Sequence, residues 1–323
     1  AFPPDLEVGM KLDDYRVEAL IHASNRSQLY RVKDEVSGET YVMKTPSVNY
    51  EDDMAYIERF IMEPWVGQRL NSQHIVKVIE TRKKPQFLYY LTEYVDGLTL
   101  MQWIEQNPDP ALKDVVKIVE QIVKGVQSFH KNEVIHQDIK PDNIMLGHEG
   151  VVKLLDFGSC YVAGVHEIAA PIVRDMVLGT ADFSAPEVVL EGHISVLADQ
   201  FSLGCIVYKM LTGMLPYGEG IETIRDFDDL SKLEYTPAYH LNSRVPVWMD
   251  GAIHRAVKRR AVKRYETVPD FLYDLKNPNW EYLKEQRKPL VKKDPVKFWK
   301  RVFIVMAVIQ TFLLFLVIIK SID

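Results

Sequence analysis

The chain has 323 residues, of which 47% are hydrophobic and 26% charged, and this composition excludes a disordered chain or a disulfide-stabilised scaffold. The length suffices for two lobes with sizeable cores. The formal net charge of −6 argues against a general nucleic-acid binder, so no nucleic-acid partner is expected. The two cysteines, Cys160 and Cys205, are too few to cross-link a chain of this size, and we expect free thiols in a reducing compartment.

The first part of the chain predicts a small lobe made mostly of β-strands. Residues 15–44 alternate apolar and polar side chains between turn residues, which indicates antiparallel strands. Residues 51–70 carry apolar side chains at helical spacing and predict an amphipathic helix. Two further short strands are predicted at residues 75–80 and 87–94.

The middle of the chain predicts a larger, mostly helical lobe. Residues 112–131 place valine and isoleucine on one broad face and predict a long helix, and helices dominate residues 186–275. The predicted fold class is therefore α+β, a bilobal molecule with an N-lobe at residues 15–95 and a C-lobe at residues 96–282.

Two polar strings with a fixed spacing point to phosphoryl transfer. The first begins at His136 and reads His-Gln-Asp-Ile-Lys-Pro-Asp-Asn, and the second is Asp-Phe-Gly from Asp156. Asp138 can accept a proton from a hydroxyl, and Lys140 can neutralise a moving phosphate. Asn143 and Asp156 offer the oxygen ligands that magnesium prefers. A polar loop without function is the alternative. One such string often occurs by chance, but both strings together, with Asp156 18 residues after Asp138, rarely do.

These strings, with other landmarks in the same order over roughly residues 15–275, resemble the eukaryotic-like Ser/Thr protein kinase family. The resemblance implies that Asp138 orients and deprotonates the acceptor hydroxyl, while Lys140 offsets charge on the transferred phosphoryl group. It implies that Asn143 and Asp156 bind the metal ion. The implied cofactors are ATP and Mg²⁺, with Mn²⁺ as an alternative.

The resemblance also assigns a nucleotide pocket. Lys44, after Val-Met, resembles the strand lysine that binds phosphates, and Glu63, 19 residues later, stands where the family places its ion-pair partner. Residues 92–95 resemble the hinge, whose backbone binds adenine. The nucleotide-binding residues that the resemblance implies are Lys44, Glu63, Glu93, Val95, Ile21 and Leu29.

A third group of residues resembles the substrate-binding and scaffold positions of the family. Thr180 and the Ala-Pro-Glu string that ends at Glu187 resemble the end of an activation segment, which orients a peptide substrate. Asp199 matches the helix residue that holds the catalytic loop, and Arg264 matches the buried partner of Glu187.

Two departures from the family pattern carry expectations of their own. Counting back from Lys44, the three glycines of the phosphate-covering loop are replaced by His22, Ser24 and Ser27, so we expect this loop to cover the nucleotide less tightly. The family usually has Arg where Gln137 stands, and that Arg reads a phosphate on the activation segment. We therefore expect activity that does not require phosphorylation of this segment.

The C-terminus departs from the globular pattern. Residues 302–319 contain only Gln310 and Thr311 as polar residues, and 18 helical residues span roughly 27 Å, close to the hydrocarbon thickness of a bilayer. A buried core helix is the alternative. A basic juxtamembrane segment at residues 283–301 and a short tail at 320–323 flank the predicted span. The positive-inside rule then predicts a single-pass protein of the inner cell membrane with a cytoplasmic kinase domain.

Four features together resemble a bacterial group of bifunctional proteins: the glycine-free loop, the His-Gln-Asp string, the Glu-Pro-Trp-Val-Gly string at residues 63–67 and the C-terminal span. These proteins have an N-terminal PP2C-type phosphatase domain and a C-terminal kinase half. The resemblance implies that this chain is the kinase half, that residues 1–14 are a remnant of the interdomain linker, and that a phosphatase domain precedes residue 1 in the full-length chain.

Three functions fit these observations to different degrees. The main hypothesis is a membrane-anchored Ser/Thr protein kinase that transfers the γ-phosphoryl group of Mg-ATP to proteins, whose substrates the sequence leaves open. A pseudokinase scaffold is supported by the missing glycines and opposed by the intact Lys44, Glu63, Asp138, Asn143 and Asp156. A small-molecule phosphotransferase is disfavoured, because such enzymes generally lack an Ala-Pro-Glu segment.

Overall fold

The chain forms two compact units, Ala1–Asn277 and Pro278–Asp323. The first unit has a β-rich part followed by a helical part, so the predicted bilobal α+β fold is confirmed. The residues that this computed structural model describes are 1–162, 181–218, 221, 224–286 and 295–320.

An antiparallel sheet forms the N-lobe. Its strands are β1 (Lys11–Leu12), β2 (Tyr15–Ala23), β3 (Ser27–Asp34), β4 (Thr40–Pro46), β5 (Val78–Ile79) and β6 (Tyr90–Glu93). They lie in the order β1-β2-β3-β4-β6-β5, and each neighbouring pair is antiparallel. The strands predicted at residues 75–80 and 87–94 are present but shorter than expected.

The two faces of the sheet have different environments because side chains alternate along each strand. Met43 and Leu91, directly opposite each other on β4 and β6, are fully buried in one core cluster. The next pair in the register, Lys44 and Tyr90, lies on the other face. On this face, Lys44 donates a hydrogen bond to Glu63, which lies on helix α1 (Met54–Arg69).

Helices make up most of the C-lobe, together with short strands. The helices of the described residues are α2 (Leu100–Gln106), α3 (Leu112–Lys131), α4 (Pro186–Glu191), α5 (Val196–Thr212), α6 (Phe227–Lys232), α7 (Ala238–Leu241), α8 (Val247–Ala256) and α9 (Val268–Lys276). Helix α3 buries its predicted apolar face, and α5 is buried along most of its length. Cys160 and Cys205 are buried free thiols, as predicted.

Short strands bring the two polar strings together. They are β7 (Gly97–Thr99), β8 (Val134–Ile135), β9 (Ile144–Gly147), β10 (Val152–Leu154) and β11 (Tyr161–Val162). β9 pairs with both β7 and β10, and β8 pairs with β11. The segment from His136 to Asn143 lies between β8 and β9, while Asp156 follows β10, so the two pairings place both segments side by side.

Helix α1 packs closely against the segment after β10. A Cβ atom added at Gly67 would lie 2.3 Å from Val78 Cγ2 and 2.8 Å from the ring of Phe157. Both distances are shorter than any real contact, so the absence of a side chain at Gly67 permits this approach. Phe157 itself is buried and lies 6.2 Å from the ring of Phe129 on α3.

Residues 1–14, predicted as a linker remnant, lie along the N-lobe. Strand β1 pairs with β2, and the Leu88 amide donates a 2.8 Å hydrogen bond to the Ala1 carbonyl. Leu12 belongs to the core cluster of the sheet, and Leu6 packs against that cluster. The folded lobe therefore includes apolar residues that precede Tyr15, the predicted start.

The second unit contains α10 (Trp280–Gln286) and α11 (Pro295–Lys320), and α11 covers the range 302–319 for which we predicted a membrane span. Among the residues described, however, no helix is sufficiently long and apolar to cross a bilayer. The predicted span is therefore not confirmed. Three parts of the predicted C-terminal region lie outside the described residues: residues 287–294 of the basic segment, the side chains of the predicted span from residue 312 onward, and residues 321–323 of the tail.

Candidate active site

The predicted catalytic loop is held in place by a buried carboxylate, that of Asp199 on α5. Its two oxygens accept hydrogen bonds from the amides of His136 (3.0 Å) and Gln137 (2.8 Å), and His130 Nε2 lies 2.8 Å from Oδ2. Gln137 has φ of +66°, an unusual conformation for a residue other than glycine. The Asp199 carboxylate therefore fixes a strained loop at the residue directly before Asp138.

Asp138, the predicted catalytic residue, contacts two other predicted site residues. Lys140 Nζ lies 2.9 Å from Asp138 Oδ2, and Asn143 Nδ2 donates to the same oxygen at 2.8 Å and to the Asp138 carbonyl at 2.9 Å. His136 is buried, with its ring 5.0 Å from that of Phe129. This environment fits a packed scaffold residue.

Lys44 lies between two carboxylates. Its Nζ is 2.7 Å from Glu63 Oε2 and 2.8 Å from Asp156 Oδ1. Asp156 adopts a left-handed backbone conformation with φ of +62°, and its Oδ1 also accepts from the Gly158 amide at 3.1 Å. The side chains of Lys44 and Glu63 are 12% and 10% exposed, whereas that of Asp156 is 38% exposed. The cluster is thus buried on the Glu63 side and open on the Asp156 side.

Burial and charge act against each other in this cluster. Burial raises the pKa of Glu63, and the Lys44 ammonium opposes that effect. Burial disfavours the charged forms of Lys44 and Asp156 as well, but the attraction between them outweighs it. The pKa of Lys44 is therefore raised well above its usual value, and that of Asp156 is held well below its own. Asp156 is ionised at neutral pH, as a metal ligand must be.

The residues present fit a magnesium ion that is shared with a nucleotide. Magnesium is usually held by one or two protein oxygens, with phosphates and waters as its other ligands. Asp156 offers a carboxylate, and Asn143, which donates through Nδ2, has its Oδ1 atom as an acceptor. Across the described ranges, no group of three or more His, Cys, Asp and Glu side chains could hold a metal by itself. A site made of one carboxylate and one amide depends on the phosphates of its nucleotide.

The predicted hinge residues lie where β6 leaves the sheet. The Glu93 amide donates to the Lys77 carbonyl at 2.9 Å, and its carboxylate accepts from the Lys77 amide and from Lys153 Nζ, both at 2.7 Å. The ion pair with Lys153 joins the hinge to β10. From the sequence we expected only a backbone role for Glu93. The pair with Lys153 has no motif spacing, because its two members are 60 residues apart. Ile21 is half exposed, as a residue that faces a cleft would be.

Ser24 organises the phosphate-covering loop between β2 and β3 in place of glycine. Its Oγ accepts from the amides of Arg26 (3.3 Å) and Ser27 (3.1 Å) and donates to the Ser27 carbonyl at 3.1 Å. In a glycine loop, such amides can approach a phosphate closely. Here they are directed at a hydroxyl of their own turn, which supports the expectation of a looser grip on the nucleotide.

The same loop is also held from helix α1. The Tyr56 hydroxyl donates to the Arg26 carbonyl, and the Ser47 amide donates to the same carbonyl at 2.8 Å. The loop and the helix that carries Glu63 are thus in direct contact. The sequence offered no signal for this, because a tyrosine 30 residues from its acceptor has no motif spacing.

The region predicted to bind substrate is described only in part. Glu187 at the start of α4 forms a two-bond ion pair with Arg264, at 2.7 Å to Nη1 and 2.8 Å to Nη2. Arg264, whose side chain is completely buried, also donates to the carbonyls of Lys258 and Leu197, both at 2.8 Å. Thr180, the other predicted residue of this segment, lies outside the described residues.

This geometry is accompanied by clear similarity to known proteins. The protein kinase domain model matches residues 15–280, and the chain belongs to that family. It is 28% identical to the serine/threonine-protein kinase PrkC of Bacillus subtilis, over 81% of this chain and 40% of PrkC. It is 31% identical to PknL of Mycobacterium tuberculosis, over 66% of this chain and 52% of PknL. The chain thus spans about two fifths to one half of these relatives.

Solved structures show the same fold. The crystal structure of the Mycobacterium tuberculosis PknI kinase domain superposes with a TM-score of 0.64, covering 85% of this chain and 100% of that one at 21% identity. The arrangement of lobes described above is therefore that of bacterial Ser/Thr kinase domains.

We predict that Arg264→Ala lowers the free energy of unfolding by about 3–5 kcal/mol, because it leaves the largely buried Glu187 carboxylate without its partner. Urea denaturation followed by circular dichroism measures this change. Arg244→Ala is the matched control, since Arg244 forms an exposed ion pair with Asp109 and its loss should cost about 1 kcal/mol or less. Equal losses in the two variants would contradict the structural role of the Glu187 pair.

Proposed function

We propose that this chain is a Ser/Thr protein kinase that transfers the γ-phosphoryl group of Mg-ATP to hydroxyl groups of proteins. The observation that carries the proposal is the position of Lys44 between Glu63 and Asp156, beside a loop in which Asp138 contacts Lys140 and Asn143. Both clusters consist of residues that the motif spacing singled out.

Each residue has a role that follows from its contacts. Lys140 and Asn143 both donate to Oδ2 of Asp138, so we expect the substrate hydroxyl at Oδ1, where Asp138 orients it and accepts its proton. Lys140 also offsets negative charge on the group in transfer. Lys44, held by Glu63, positions the α- and β-phosphates. Asn143 and Asp156 would hold Mg²⁺, which neutralises charge on the phosphates when bound. Catalysis then rests on positioning and electrostatics, with no covalent enzyme intermediate.

The decisive experiment removes the proton acceptor. We predict that Asp138→Asn lowers transfer from radiolabelled ATP to a protein substrate by about 10²–10⁴-fold while nucleotide still binds, because only the general base is lost. Asp142→Asn, an exposed carboxylate four residues further along the chain, is the matched control and should retain activity. Equal background labelling by wild type, Asp138→Asn and Asp142→Asn would instead favour the pseudokinase scaffold, which the intact clusters do not favour.

A second prediction concerns activation. Because Gln137 carries no charge to bind a phosphate, we predict that phosphatase-treated protein retains its activity within about threefold. Alanine substitution at Ser159 or Ser184 should have an equally small effect. Loss of activity in Thr180→Ala alone is compatible with this, since the Thr180 hydroxyl is expected to contact Asp138. Rescue of Thr180→Ala by Asp or Glu at that position would contradict the prediction.

Membrane attachment is a separate proposal, supported by the sequence of residues 302–319 and by the basic residues before it. The kinase domain would then face the cytoplasm. We predict that the protein, expressed in bacteria, stays in the membrane fraction after alkaline carbonate extraction, and that truncation after residue 282 releases it. Extraction of the full chain by carbonate would refute the anchor without affecting the proposed kinase activity.

The proposed N-terminal PP2C-type phosphatase domain rests on the resemblance to the bifunctional bacterial group. That resemblance comes from the glycine-free loop, the His-Gln-Asp string, the Glu-Pro-Trp-Val-Gly string at residues 63–67 and the predicted C-terminal span. The relatives reported above are named as kinases, and this chain covers only part of each of them. The reading frame upstream of Ala1 tests this proposal, and a frame that encodes no phosphatase domain would reject it.

A further inference from the structure

Tyr90 is a buried residue of the site that no motif singled out. It lies on β6 directly opposite Lys44 on β4, so both side chains lie on the same face of the sheet. Tyr90 is 7% exposed, and its ring lies 5.5 Å from that of Phe60 on α1. These neighbours fix the direction of the hydroxyl.

The Tyr90 hydroxyl reaches the carboxylate that pairs with Lys44. It donates to Glu63 Oε2 at 2.6 Å, and the same oxygen lies 2.7 Å from Lys44 Nζ. Lys44 Nζ is also 5.9 Å from the centre of the Tyr90 ring. A single oxygen of Glu63 thus has one charged and one neutral donor.

The two donors to Glu63 differ in whether they have other partners during the proposed reaction. Lys44 is shared between Glu63 and Asp156, and in the proposed function it also contacts phosphates. The Tyr90 hydroxyl has no such competing role in the reaction. A buried carboxylate that lost its donors would carry the full cost of desolvation, so the second donor stabilises Glu63 in this position while Lys44 is engaged elsewhere.

We propose that Tyr90 is a positioning residue that holds the Glu63 carboxylate, and with it helix α1, in the arrangement that presents Lys44 to the nucleotide. This inference rests on the proposed function and deepens it. Tyr90 acts through Glu63 and Lys44 and does not touch the reacting atoms. Tyr90 lies on strand β6, so its hydrogen bond to Glu63 requires no phosphate on the activation segment. This agrees with Gln137, which has no charge to bind such a phosphate.

The neighbouring tyrosine provides a matched control. Tyr89 is also 7% exposed, and its hydroxyl donates to Asp13 Oδ2 at 2.7 Å. Tyr90→Phe and Tyr89→Phe therefore each remove one hydroxyl from a hydrogen bond to a carboxylate, on adjacent residues of one segment. Only the first change affects Glu63.

The experiment compares the two variants with wild type in the full chain. The measurements are the Kd of a non-hydrolysable ATP analogue with Mg²⁺, the KM for ATP, kcat at saturating ATP and Tm. For Tyr90→Phe we expect Kd and KM to rise about threefold to tenfold, with a smaller change in kcat, as the loss of one buried hydrogen bond predicts. For Tyr89→Phe we expect Kd and KM within about twofold of wild type, even where Tm falls equally.

The outcomes separate this inference from the proposed function. Equal Kd values for Tyr90→Phe and Tyr89→Phe, or a change in Tm alone, would overturn the positioning role. If wild type transfers no phosphate but the difference in Kd persists, the role of Tyr90 in nucleotide binding stands and the proposed transfer activity fails. If wild type transfers phosphate and the two variants have equal Kd values, the proposed transfer activity stands and the positioning role of Tyr90 fails.

Discussion

One buried lysine placed between two carboxylates determines how the N-lobe meets the catalytic segments. Lys44, Glu63 and Asp156 bring one basic and two acidic side chains into surroundings where unpaired charges are costly. They come together only if strand β4, helix α1 and the segment after β10 all converge. Asp156 is the most exposed of the three side chains, so its carboxylate is the one placed to attract a cation at the open side of the cluster.

Side-chain contacts around this cluster accompany two departures from the family pattern, the glycine-free loop and Gln137. Where glycine would leave amides free for phosphate, Ser24 binds them within the turn, and Tyr56 ties that turn to α1. At the position where the family usually has an arginine that binds a phosphate on the activation segment, this chain has the uncharged Gln137. Within the described N-lobe, side-chain hydrogen bonds therefore hold the turn between β2 and β3 and connect it to helix α1. Under the proposed function, these contacts would reduce the conformational entropy lost when a nucleotide binds.

Residues that act over short, regular spacings were predictable from the sequence. The string from His136 to Asn143 and the helical period of α3 depend on local geometry, and each appears where predicted. Contacts between distant segments were not predictable, because one hydroxyl and one acceptor leave no periodic pattern. Tyr90 and the Glu93–Lys153 ion pair belong to this second class. Resemblance to a family supplied Lys44 with Glu63, but it offered nothing for side chains outside its motifs.

The segment before the family match has a practical consequence for anyone who shortens this protein. The family match begins at Tyr15, yet Leu6 and Leu12 pack on the same cluster as Met43 and Leu91. A version that begins at Tyr15 would expose the apolar side chains that residues 1–14 cover. It would also leave β2 without its partner β1 at the edge of the sheet. Such a surface promotes self-association. Low solubility of the shortened protein would therefore result from the choice of its first residue and would not indicate an inactive site.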